Sequence, residues 1–178
     1  MIALDCGFPL RKLGACAACG LLLCALASGC GRRAPWDIAK VSGKFTFSDG
    51  SPIKLKNPDG TPVKIMRITL QFIPQDPPTG RIQLKAATAE VDVETGVFES
   101  ATTLRPAGDG AIVGNHKVLF QIYQQLEDGS VFPMTVMPGI PDKYRSVETT
   151  PLKVVVTKNG ENYFPLTIEK DSSFGQQE

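Results

Sequence analysis

The chain has 178 residues, 42% hydrophobic and 21% charged, with 17 glycines and 14 prolines. That length suits one domain with a continuous core rather than two, and the composition excludes a disordered chain. The formal net charge of +1 excludes the basic field that draws in nucleic acid, so no nucleic-acid partner is expected.

Arg11 and Lys12 precede an apolar stretch from Leu13 to Leu26, and the small residues Ala27, Ser28 and Gly29 lead to Cys30. Basic start, apolar middle and small-residue end is the order of a signal peptide. The apolar stretch is shorter than the roughly 20 residues that a spanning helix needs. Residues 1–29 are therefore expected to be an export signal cut between Gly29 and Cys30. Leu26-Ala27-Ser28-Gly29-Cys30 resembles the lipobox of bacterial lipoproteins, in which the cysteine sulfur takes a diacylglycerol. It departs from that pattern at Ala27, where the family usually has leucine. The resemblance implies lipidation of Cys30 and attachment to the cell membrane or the outer membrane, with the protein facing the periplasm or the surface.

All five cysteines, Cys6, Cys16, Cys19, Cys24 and Cys30, lie at or before the expected cleavage point. The mature domain then has no thiol for a disulfide or a metal and must stand on packing alone. Cys16-Ala17-Ala18-Cys19 matches a redox CxxC spacing, but it sits inside the apolar stretch without the strand-to-helix context such a motif needs.

Residues 30–40 read as the lipidated cysteine and a tether, with Trp36 expected to cap the domain; residues 41–170 read as the domain, and 171–178 as a polar tail. Period-two alternation then recurs. Val41, Gly43, Phe45 and Phe47 share one face of a first strand. Met66, Ile68, Leu70 and Phe72 share one face of a second, which stops at Pro74. Ala87, Ala89, Val91 and Val93 oppose Thr88, Glu90 and Asp92, and Thr95-Gly96 is expected to turn this strand into a hairpin with 97–100.

Val118, Phe120 and Ile122 give an inward face, and a long polar loop is expected from Leu126 to Pro141. Leu152, Val154 and Val156 alternate up to Asn159-Gly160, a hairpin turn in which both residues tolerate positive φ, and Phe164, Leu166 and Ile168 return. Pro165 marks that last strand as an edge. No stretch has a capped 3.6-residue apolar period, so the expectation is an all-β sandwich or barrel.

Four segments carry a resemblance: Val41-Ser42-Gly43-Lys44-Phe45-Thr46-Phe47, Val91-Asp92-Val93-Glu94-Thr95-Gly96-Val97-Phe98, Gly114-Asn115-His116-Lys117-Val118 and Ile140-Pro141-Asp142-Lys143-Tyr144. In order and spacing they resemble the small planctomycete lipoproteins labelled carboxypeptidase-regulatory-like or transthyretin-like. The resemblance implies a Greek-key β-sandwich of about seven strands, no catalytic residues and no cofactor. The chain departs from the usual pattern at 51–63 and 124–138, the loops where an individual function is expected to sit.

Sites of chemistry are few. His116 is the only histidine and shares inward parity with Val118 and Phe120. With no GxSxG elbow nearby it reads as a structural residue, not a catalytic base. A single histidine also leaves no HExxH zinc motif. Glu90, Asp92, Glu94, Asp109 and Asp128 offer carboxylates for calcium, but without EF-hand spacing they read as a solvated face and Asx turns. Lys54, Lys56 and Lys64 flank one loop without interleaved aromatics, so they read as solubilising charges. The expectation is a non-enzymatic interaction or structural module of the bacterial envelope, held by its lipid beside an envelope protein partner. The rival is a small-ligand or carbohydrate binder, which needs a concave apolar pocket with a few convergent polar groups.

Overall fold

The computed structural model describes residues 36–76, 84–104 and 107–171, all within a unit that begins at Trp36. Among the described residues the architecture is β throughout, apart from one 3-10 turn at Asp142–Tyr144. The strands are β1 Ile38–Ala39, β2 Ser42–Phe47, β3 Ile65–Pro74, β4 Ala87–Val91, β5 Val97–Phe98, β6 Ala101–Thr102, β7 Ala111–Ile112, β8 Gly114–Gln125, β9 Val131–Pro133, β10 Lys153–Val156 and β11 Tyr163–Ile168. Several are two-residue pieces that alternation does not register, so they exceed the expected seven or so.

The larger sheet runs β10-β8-β3-β4-β6, antiparallel at every step, with β9 pairing the far half of β8. The smaller sheet is β11-β2-β5, in which β11 runs parallel to β2. β1 and β7 form a separate two-stranded ribbon, so Ile38 and Ala39, read as tether, belong to the ordered structure, and Ala39 is buried. Pro165 lies on β11, the outer strand of the smaller sheet, where its missing N–H costs no ladder bond.

The two sheets meet through aromatic rings. Phe45 on β2 lies 4.9 Å from Phe120 on β8, and Phe72 on β3 lies 5.9 Å from Phe98 on β5 and 6.4 Å from Phe164 on β11. The alternating residues Ile68, Leu70, Phe72, Val118, Phe120, Ile122, Val154, Val156, Leu166 and Ile168 are all buried in one core. Gly43 occupies an inward position on β2 because a Cβ there would sit 2.1 Å from the Phe164 carbonyl and 2.7 Å from the Phe98 ring. The close approach of β11 to β2 requires the glycine.

Four expectations need correction. Met66 is exposed, since the β3–β8 register shifts between Ile65 and Arg67 and the bulge breaks the alternation there. The Thr95-Gly96 turn does reverse the chain, with Asp92 N–H donating to Val97 O and Gly96 N–H to Asp92 O. Its return leg, however, joins the other sheet: β5 pairs with β2, and Phe98 is buried against Phe72. Asn159-Gly160 is likewise no hairpin. β10 belongs to the larger sheet and β11 to the smaller, and neither residue has positive φ. The buried Asn162 stabilises this crossover: its amide donates to Thr157 O and Lys40 O and accepts from Thr157 N–H.

The segment 126–141 also differs from a polar loop. It contains β9, and it buries Met134, Met137 and Ile140 in the core. Leu126, Val131, Phe132 and Val136 on the same segment remain exposed.

Candidate functional site

An open groove of about 920 Å³ lies on the outer face of the larger sheet. Strand alternation builds it, because each inward apolar residue leaves a polar neighbour outward. β3 contributes Arg67 and Thr69, β4 contributes Thr88 and Glu90, and β6 contributes Thr102. Registry sets them in rows, Thr69 opposite Glu90 and Thr88 opposite Thr102. The Arg67 guanidinium lies 4.3 Å from the centre of the Tyr123 ring, which steadies it at one side of the groove.

Two turns wall the groove. In the first, Asp92 accepts from Thr95 N–H and Thr95 hydroxyl, each at 2.7 Å, and from Glu94 N–H at 3.1 Å. Those bonds from Thr95 hold the Asp92 carboxyl below its usual range, so it stays ionised at neutral pH. In the second, Gly108 N–H donates to the Thr102 hydroxyl at 2.8 Å. Among the described lining residues, the carboxylates of Glu90, Asp92 and Glu99 outnumber the guanidinium of Arg67, so that lining is net negative. Glu90 and Glu99 form no ion pair among the described residues. A shallow surface of hydroxyls and free carboxylates suits recognition of a polar or cationic surface.

A second concavity, about 500 Å³, lies along β10 and is lined by Gln75, Asn115, His116, Lys117, Lys153, Val154 and Val155. The Lys117 ammonium on its wall donates to the carbonyls of Val147 and Glu148. Asp76 nearby accepts from Asn115 N–H at 2.7 Å and from its amide at 3.0 Å, and these bonds lower its pKa.

His116 lies in the inner layer at 2% exposure, edge-on to Phe72 at 6.5 Å. Its Nδ1 is 3.1 Å from Gly114 O, so this nitrogen carries the proton in the neutral ring. Nε2 is buried without a partner among the described residues, and burial pushes the pKa below the ordinary value. The structure therefore places His116 on the core face, as its parity in the sequence implied.

The other residues singled out from sequence do not converge. Glu90 and Asp92 share the groove, but Glu94 turns away to pair with Lys54 at 3.3 Å. Asp109 accepts from Thr103 N–H and Leu104 N–H, and Asp128 from Ser130 N–H, each closing its own turn. Among the described residues no group of three or more histidine, cysteine, aspartate or glutamate side chains is placed to hold a metal ion. Lys54 and Lys64 line a small cleft with Glu94, whereas Lys56 sits on a bridge to Pro62. Trp36 is half-buried, with its Nε1 unpartnered among the described residues. Gly29, Cys30, Cys16 and Cys19 lie outside the described residues.

Sequence reading missed Arg67, Thr69, Thr88, Glu99 and Thr102 as a set. The only signal available was their outward parity, which says nothing of which strands become neighbours. No described helix is long and apolar enough to cross a membrane. No family model matches the chain, and neither a curated protein nor a solved structure matches it.

Proposed function

We propose that the chain is an exported bacterial lipoprotein, cut between Gly29 and Cys30 and anchored through Cys30. On this reading its β domain, of the Greek-key transthyretin-like or carboxypeptidase-regulatory-like kind, is a non-enzymatic interaction or structural module of the cell envelope. The lipobox-like run Leu26–Cys30 supports the anchor. The observation that carries the interaction role is the open, net-negative groove over β3, β4 and β6. Such an open polar surface suits an envelope protein partner better than an enclosed small molecule. The test is charge reversal at Glu90 and Glu99 together. Because both side chains are exposed, the change should alter stability by no more than about 0.5 kcal/mol, while the variant fails to complement a deletion strain. Full complementation at native abundance would overturn the groove as the working surface.

A second reading, binding of a small ligand or carbohydrate, is favoured by the concavity beside β10, which combines Val154 and Val155 with the polar groups of Gln75, Asn115 and Lys153. Its volume of about 500 Å³ falls in the range of ligand sites.

A further inference from the structure

We propose that Asn159 is a site of spontaneous covalent modification, losing its side-chain amide through a cyclic imide formed with Gly160. The chemistry needs a free carboxamide, an unhindered backbone N–H on the next residue, and exposure to water. Of the four asparagines in the chain, three lack one of these. Asn57 precedes Pro58, which has no N–H, and its amide is bonded to Thr61. Asn115 has its amide on Asp76, and Asn162 is buried with its amide bonded to Thr157 and Lys40.

Asn159 satisfies all three. Thr157, Lys158, Asn159, Gly160 and Glu161 form an exposed run between β10 and β11, and the Asn159 amide has no hydrogen-bond partner among the described residues. A Cβ at Gly160 would lie 2.1 Å from the Thr157 hydroxyl oxygen, so any larger residue there would have to displace that side chain. The fold thus places the least hindered backbone nitrogen directly after a free asparagine. The Asp-Gly pairs differ. Asp49, Asp59, Asp109 and Asp128 each spend their carboxylate on N–H groups of their own turn, which keeps it from cyclising.

In the reaction Gly160 N bonds to Asn159 Cγ, the Cγ–Nδ2 bond breaks, and ammonia leaves with the proton from Gly160. Water then opens the imide at either carbonyl, giving aspartate or isoaspartate. Both add a negative charge beside Lys158, which pairs with Asp37 at 2.9 Å. Isoaspartate also lengthens the main chain by one carbon, in a crossover that Asn162 holds at fixed length. The modified chain should therefore be less stable.

The test ages the full chain in detergent in mildly alkaline buffer, beside an Asn159→Gln variant whose longer side chain disfavours the five-membered imide. Proteolytic peptides are followed by mass spectrometry, with fragmentation that distinguishes isoaspartate. The expected result is an amide-to-acid mass gain confined to the peptide bearing Asn159, and a urea midpoint that falls on ageing in the wild type but not in the variant. Retention of the Asn159 amide for as long as those of Asn57, Asn115 and Asn162 would overturn the site. Conversion with an unchanged midpoint would overturn its effect on the crossover.

Discussion

His116 makes the domain acid-sensitive in a window where little else titrates. It is the only histidine, buried at 2% exposure, with Nδ1–H donating to Gly114 O and Nε2 without a partner among the described residues. Burial lowers its pKa from the ordinary 6.5, more than the Gly114 carbonyl and the nearby Asp76 charge raise it. The unfolded chain therefore takes up a proton as pH falls through about 6.5, while the folded chain takes one up only at its lower value. Stability is complete above about 6.5 and falls by about 1.4 kcal/mol for each pH unit between the two values. Below the folded value the loss levels off.

The lowered carboxyls Asp49, Asp59, Asp76, Asp92 and Asp128, ordinarily at 3.8, and Glu148, ordinarily at 4.5, act in the same sense, but only near and below those values. The intermediate window thus belongs to His116. Replacing it by glutamine should cost about 1–2 kcal/mol at neutral pH, for one buried hydrogen bond and altered packing. The same change should remove the slope that begins below about pH 6.5. Urea unfolding followed by circular dichroism across that range measures both quantities. An equal slope in wild type and variant, or a flat wild type, would refute the reasoning, and loss of a binding activity with unchanged stability would refute the structural role.

Other substitutions follow from the same geometry. Asn162→Ala strands the Thr157 N–H and the Thr157 and Lys40 carbonyls, and should lower stability by about 2–4 kcal/mol in urea titration; Asn162→Asp should cost at least as much, because its second carboxylate oxygen would face those two carbonyls where the amide donated. Gly43→Ala drives a methyl group to 2.1 Å from the Phe164 carbonyl. It should cost about 3 kcal/mol or more and loosen β11, seen as faster amide exchange along 163–168.

The inward faces were legible because burial on a strand imposes period two: Phe45, Phe47, Leu70, Phe72, Val118 and Ile122 are all in the core. Glycine turns were legible too where aspartate precedes the glycine: Gly110 and Gly129 both have positive φ, and Asp109 and Asp128 bond to N–H groups beside them. What local chemistry does not encode is the sheet that a returning strand joins. Thr95-Gly96 reverses the chain and Asn159-Gly160 lies in the connection from β10 to β11, yet the strand that follows in each case pairs across the core with β2. Long-range packing decides that, through Phe98 and Phe164 against Phe72. The bulge exposing Met66 is similarly a property of the pair β3–β8 and not of either strand.

The groove followed the same limit. Thr88, Glu90 and Asp92 read as a solvated strand face, and they are one; only the order β3-β4-β6 makes that face concave beside Arg67 and Thr102. Asp109 and Asp128 were readable from their glycine turns, since their carboxylates accept from nearby N–H groups within six residues.

The tether also limits where the domain can work. Gly31 to Lys40 spans at most about 35 Å when extended, and β1 takes up its last part, so the domain sits close to the bilayer if Cys30 carries lipid. The decisive measurement is metabolic labelling with radioactive palmitate, followed by membrane fractionation, on wild type and Cys30→Ser. Lipidation at Cys30 predicts label and membrane association in the wild type, with both lost from the variant, which then accumulates unprocessed or in the soluble fraction. Equal labelling of the two proteins would contradict the anchor and the membrane-bound role built on it.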